Sequence, residues 1–354
     1  MLFLTGAEER CWADRAERIC AGDLPPYQDA AIRPNLQSAF HFYIGTLPAA
    51  DERRERATEW LEAGTLLEED GLFMSAFLLG FLSRQGGEFR APARAFDDPR
   101  HFIHFAGVPV MNGAREAFIR QAARTLPLFP HDLRFMDIGC GDGGLTVRLL
   151  DRLLATGRAG AIDEVILVDP SPAMLDLAEK TVREAHPEAV ITPLARDIQH
   201  VSGALDRHAD VAMSSLAYHH MPLEERERHL RALEPWIDHV LLFELNANND
   251  TPALGSPALA LSVYQSYGRI IDFVLSHDAP FDVASGCMDC FLMSGLVSLM
   301  TEPRGIRTEY HMLRDQWNAL FRESLGPRFT LLCDSACYAD SYVELFTMHY
   351  GRAG

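Results

Sequence analysis

The stretch Phe135–Thr146, FMDIGCGDGGLT, decides the fold. An apolar run ends on Asp137, the glycines Gly139, Gly141 and Gly143 follow at alternate positions, and a helical pattern opens near Leu145. Glycine lets the backbone turn tightly and come close to a ligand, and a helix starting there offers unpaired N–H groups. Strand, glycine-rich turn and helix in this order open a nucleotide-binding βαβ unit. Taken alone, the turn would suit a dinucleotide equally well.

Outward from this point, apolar runs alternate with helical ones. The runs EVILVD (164–169), AVITPLARD (189–197), ADVAMSS (209–215) and HVLLFEL (239–245) are separated by SPAMLDLAEKTVREA (171–185) and LEERERHLRALEPW (223–236). Such alternation requires crossover connections and predicts a mostly parallel sheet with helices on both faces. Two last runs, RFTLLCDSACY (328–338) and SYVELFTMHY (341–350), read as a closing hairpin, for seven strands in all. Stretches such as NGAREAFIRQAARTL (112–126) carry apolar residues at helical spacing, so residues 1–130 are expected to form a helical lid or substrate region. The remainder, 131–354, is expected to be a Rossmann-like α/β domain with a helical cap inserted at about 251–325.

Composition narrows the partners. The formal net charge is −18, and Lys180 is the lone lysine. Like-charge repulsion disfavours nucleic acid and anionic membranes as partners. No apolar run reads as a membrane span, and the first residues lack the basic start of a signal peptide. Seven cysteines scattered over 354 residues suit reduced thiols, so a cytoplasmic location is expected. Cys287-x-x-Cys290 and Cys333-x-x-x-Cys337 invite a zinc reading, but buried thiols are the simpler account.

The spacing Asp137–Gly139–Gly141, with Asp142 inside the turn, resembles the first motif of class I S-adenosylmethionine (SAM)-dependent methyltransferases. Three further motifs follow in the family's order. Asp169 ends the second strand, where the resemblance implies a bidentate contact to the ribose hydroxyls, with Pro170 next to it as a further cofactor-binding candidate and Met174 against the adenine. Asp169 would otherwise serve as a helix cap. Asp197 resembles the family's acceptor for the adenine amino group, with the Ile198 N–H next to it. ADVAMSSLAYHHMP (209–222), including Ser214, would pass under the methionine part of SAM and line the substrate pocket. The resemblance covers about Arg134 to Asn249 and implies SAM as co-substrate.

For catalysis the candidates are Tyr218, His219, His220 and Glu244. Imidazole titrates near neutrality and suits a general base, although a histidine here also orients loops. Asn246 and Asn249 lie beyond Glu244 and serve either the pocket or a turn. Phe40, Phe42, Tyr43, Phe102 and Phe105 are aromatic candidates for a cation–π contact to a sulfonium. Some α-keto acid methyltransferases bind iron through histidines. His219, His220, His277 and His311 lack tight ligand spacing, and no metal is expected.

The expected activity is transfer of the SAM methyl group to a small polar metabolite, similar to an amino or keto acid. Two alternatives share the SAM contacts: cyclisation of SAM to azetidine-2-carboxylate with release of methylthioadenosine, and SAM binding by a non-catalytic regulator. The partner is a small molecule, and a homodimer is compatible with the sequence.

Overall fold

A computed structural model of the chain describes residues 1–23, 30–50, 54–91 and 98–353. Two units emerge. Unit 1 is Met1–Ala95, Ala247–Glu309 and Asp340–Val343; unit 2 is Phe96–Asn246, Tyr310–Ala339 and Glu344–Gly354.

Unit 2 contains the sheet. Its strands are β1 (Leu133–Ile138), β2 (Ile162–Asp169), β3 (Val190–Ala195), β4 (Ala209–Ser215), β5 (Ile237–Asn246), β6 (Phe329–Ala339) and β7 (Glu344–Arg352). They are arranged in the order β3-β2-β1-β4-β5-β7-β6. Strands β1 to β5 are parallel; β7 runs antiparallel to β5, and β6 antiparallel to β7. The chain thus winds one way from β1 to β3 and the other way from β4. The switch between β1 and β4 opens a crevice at the carboxyl ends of the strands, where ligands of such sheets bind. All six residues of β1 are buried, as expected for a strand covered on both faces.

In chain order the helices are α1 (Gly6–Ala21), α2 (Gln37–Ala50), α3 (Arg54–Thr65), α4 (Met74–Arg84), α5 (Pro99–Gly107), α6 (Pro109–Thr125), α7 (Gly144–Ala155), α8 (Pro172–Ala185), α9 (Leu223–Leu233), α10 (Pro257–Leu275), α11 (Phe281–Gly286), α12 (Met293–Thr301) and α13 (Arg314–Leu325). Helices α5 to α9 and α13 belong to unit 2, and the others to unit 1. The division therefore falls elsewhere than at residue 130. The helices spanning 99–125 join the sheet unit because their apolar faces, with Phe118 and Ile119, are buried there; Phe118 meets Phe243 of β5 at 5.5 Å between ring centroids.

Unit 1 has its own core. Trp12 packs edge-on against Phe40 at 5.3 Å, and Phe42 lies 5.7 Å from Tyr264. Phe40, Phe42 and Tyr43 are core residues of this unit. The segment Phe281–Thr301 is a continuous 21-residue helix of mean hydropathy 1.6 in its apolar window. By length and composition it could cross a membrane, which corrects the sequence reading. Two-thirds of that window is buried inside the protein, as in a core helix. Its middle, Cys287–Leu292, is a π-helical turn, and Cys287 is a buried thiol there, outside any disulfide.

Candidate active site at the carboxyl edge of the sheet

The glycine turn is held by strand β2. Asp169 Oδ2 accepts the Gly141 N–H at 3.1 Å, and Oδ1 accepts the Ser171 N–H at 2.9 Å. Ser171, not Asp169, caps α8, its hydroxyl accepting from the Met174 N–H. Each Asp169 oxygen keeps a lone pair beyond its backbone bond, enough for two hydroxyl donors. Burial raises the Asp169 carboxyl, against the lowering effects of the Ser171 and Gly141 N–H groups and of His220.

Two glycines are required by geometry. Gly139 has φ +78°, and a Cβ there would overlap the Ala217 side chain. Gly141 has φ +55°, and a Cβ would meet the Phe102 ring at 2.8 Å. Beside this turn lies a cleft of about 280 Å³ lined by residues of unit 2 alone. Of the residues expected to bind SAM, Gly139, Gly141, Asp169, Pro170, Met174, Asp197 and Ile198 line it. Phe102, Ser171, Gln199, Ser215, Leu216, Ala217, His220 and Met221 complete the wall.

Three expected SAM contacts fall outside that wall. Asp137 is buried beneath the turn, where its Oδ2 accepts the Thr146 hydroxyl. Burial pushes its carboxyl up to about 7, opposed by Thr146 and Arg115 and helped by the charges of Asp169 and Asp142. Asp137 therefore supports the turn from inside. Asp142 Oδ1 accepts the Gly144 N–H at 3.0 Å in the first turn of α7. Ser214 is buried, and it is the next residue, Ser215, that faces the cleft, because alternate residues of a strand point to opposite faces. Leu216 follows with φ +51°, a strained conformation for a γ-branched residue, and its N–H is fixed by Phe243 O at 2.8 Å. Nothing in the sequence pattern signals this kink.

The catalytic candidates separate in space. Tyr218 is core, its hydroxyl 3.0 Å from His229 Nε2 and its ring 6.0 Å from Phe321. Burial pushes the Tyr218 hydroxyl far up and the His229 imidazole down to about 4, so the pair is neutral. His219, His220 and Glu244 converge. His219 Nδ1 lies 3.0 Å from Glu244 Oε2, and the His219 backbone N–H donates to Oε1 at 3.3 Å. His311, from the segment before α13, stacks on His219 at 3.9 Å and 25°, and His220 lies 4.2 Å from His219 on another side. The Tyr310 N–H donates to His219 O at 2.7 Å and pins the two segments together. Glu244 is fully buried. Burial pushes its carboxyl up, yet His219, His311 and the Leu245 N–H outweigh this and hold it below the usual carboxylate range.

His219, Glu244 and His311 offer ligand atoms within 4.8 Å of one another, close enough to hold a cation. The near-parallel stack argues for another use. A metal ion lies in the plane of each imidazole that binds it, and two planes 25° apart at 3.9 Å share no such point nearby without ring rotation. Asn246 and Asn249 are structural. Asn246 accepts the Arg314 N–H at the start of α13 and donates to Glu344, while Asn249 accepts the Ser262 hydroxyl inside unit 1.

The strand–turn–helix with its paired Asp169 matches a known family pattern: residues 135–237 fit the family model described as a methyltransferase domain. Unit 2 holds a class I SAM-dependent methyltransferase domain. The enzyme is by this domain a SAM-dependent transferase, with SAM as co-substrate. Comparison with curated proteins gives no match. Among solved structures, SCL7 of Oryza sativa is 15% identical over 86% of this chain and 99% of its own, with a TM-score of 0.60. That likeness of fold reaches well beyond the methyltransferase domain. Magnesium protoporphyrin IX methyltransferase of Synechocystis PCC 6803 is 13% identical over 72% and 93% of the two chains, with a TM-score of 0.43. The cyclopropane synthase MmaA2 of Mycobacterium tuberculosis is 12% identical over 66% and 82%, with a TM-score of 0.41.

The residues present fit SAM. The Asp169 oxygens suit the ribose diol, and Ser215 Oγ, buried and without a hydrogen-bond partner, is a spare donor at the cleft.

Proposed function

We propose that this methyltransferase methylates a small polar acceptor of the amino or keto acid kind, with the His219–Glu244 pair taking the acceptor's proton. The observation that carries the reading is Glu244, a fully buried carboxylate held ionised against His219 while the adjoining His220 lines the cleft.

Bound SAM supplies a methyl group on a cationic sulfur. The protein's own work is the proton. Glu244 holds the His219 ring with Nδ1 toward the carboxylate, so Nε2 is the ring nitrogen that takes the proton in this reading. As the acceptor's lone pair forms its bond to the methyl carbon and the carbon–sulfur pair returns to sulfur, the acceptor's proton passes to this imidazole. The imidazolium is stabilised by Glu244 in surroundings where water does not screen the pair. The polar donors at the cleft, His220 and Ser215, favour a hydrogen-bonding acceptor over an apolar one.

Mass spectrometry after incubation with SAM tests the reading. S-adenosylhomocysteine should appear only when an amino or keto acid of the right shape is added. Enzyme-dependent methylthioadenosine from SAM alone would overturn methyl transfer in favour of cyclisation.

A further inference from the structure

Arg115 lies on α6 and is 6% exposed, yet among the described residues it forms no hydrogen bond or ion pair, and its Nε is buried without a partner. Its guanidinium sits 5.8 Å over the face of Phe102, and the far edge of that ring touches the Gly141 turn. Phe102 also lines the SAM cleft. The groups acting electrostatically on Arg115 are Asp142 of the turn, Asp137 of β1 and Arg148 of α7, none within ion-pair distance. Guanidinium stays protonated even when buried, so the charge cannot be shed. A buried guanidinium whose Nε–H has no acceptor is costly, and such a group beside a cleft marks a candidate ligand site.

The chemistry that completes it is planar and anionic. A carboxylate takes two parallel N–H bonds from a guanidinium fork, and the phenyl face keeps the cation oriented meanwhile. The turn on which Phe102 rests is the part of the cleft that the first motif assigns to the amino acid end of SAM. We infer that Arg115 recognises the methionine carboxylate of SAM, with Phe102 yielding to let the two meet. The inference rests on the SAM reading of the cleft and makes Arg115 a binding residue on a helix that the motif reading left out.

Calorimetry on the full chain with three ligands tests it. S-adenosylhomocysteine carries the carboxylate, decarboxylated SAM lacks it, and methylthioadenosine lacks the whole amino acid part. Arg115→Met should weaken S-adenosylhomocysteine about 10- to 100-fold and leave the other two unchanged. Arg115→Lys, which keeps the charge and loses the fork, should fall between wild type and Arg115→Met, and serves alone if the Met variant fails to fold. Equal weakening of all three ligands by either variant would make Arg115 a structural residue and overturn the inference, as would unchanged S-adenosylhomocysteine affinity. Wild-type protein that binds none of the three would instead refute the SAM reading itself.

Discussion

Asp169 at the end of β2 accepts the N–H of Gly141, 28 positions earlier in the turn after β1, at 3.1 Å. The carboxylate that lines the cleft, and that we assign to the ribose, is thus the same group that shapes the glycine turn, and its second oxygen is anchored on Ser171. Asp169→Asn replaces one acceptor oxygen by a donor, breaking one of these anchors and one ribose contact together. Affinity for S-adenosylhomocysteine should fall by about 1–3 kcal/mol by calorimetry. Asp137→Asn, beneath the turn, where burial raises the carboxyl to about 7 and leaves it only part-ionised at neutral pH, should cost much less; an equal loss would return Asp137 to the ligand contacts.

Gly141→Ala meets two obstacles, the positive φ and the Phe102 ring. The backbone part alone is about 1–2 kcal/mol. Chemical denaturation should show that loss plus a steric share. Phe102→Ala in the same chain should recover the steric share only. Full recovery would mean the backbone conformation costs nothing.

Glu244→Gln keeps the shape and removes the charge that stabilises imidazolium at His219. We expect kcat to fall about 10²- to 10⁴-fold. Affinity for S-adenosylhomocysteine should hold, since Glu244 does not line the cleft. A kcat close to wild type would remove the pair from catalysis.

At the far side of the sheet His239 Nδ1 lies 3.0 Å from His349 Nε2, and His349 Nδ1 lies 2.7 Å from Thr125 Oγ1. Burial pushes His349 down to about 3, helped by His239, which burial also lowers. A histidine depressed in the folded state is protonated first in the unfolded chain. Its contribution is complete above the unfolded value of about 6.5 and is lost as the pH falls from there toward about 3. The slope is about 1.4 kcal/mol per pH unit for each such group. Urea unfolding between pH 6.5 and 4 should therefore be less steep with pH for His349→Asn than for wild type. Identical slopes would show that His349 is not held neutral.

The sequence by itself determined the sheet and the ligand edge. The run ending at Asp137, the glycines after it and Asp169 belong to local strand–turn–helix grammar, in which neighbouring residues dictate backbone conformation. Strand positions were legible for the same reason, since alternating apolar runs and helical spacing are local properties. Tertiary structure decided what each polar group faces. Asp137 and Asp169 both end strands as carboxylates, yet Asp137 is turned beneath the turn onto Thr146 and Asp169 faces the cleft. His311 is 92 residues beyond His219 (311 − 219) and stacks on it where the Tyr310 N–H is bonded to His219 O. Arg115 reads as one more arginine on an amphipathic helix, and its burial against Phe102 depends on how α5 and α6 settle against the turn. Such partners are set by packing between segments distant in the chain, and that packing leaves no trace in the spacing of either segment.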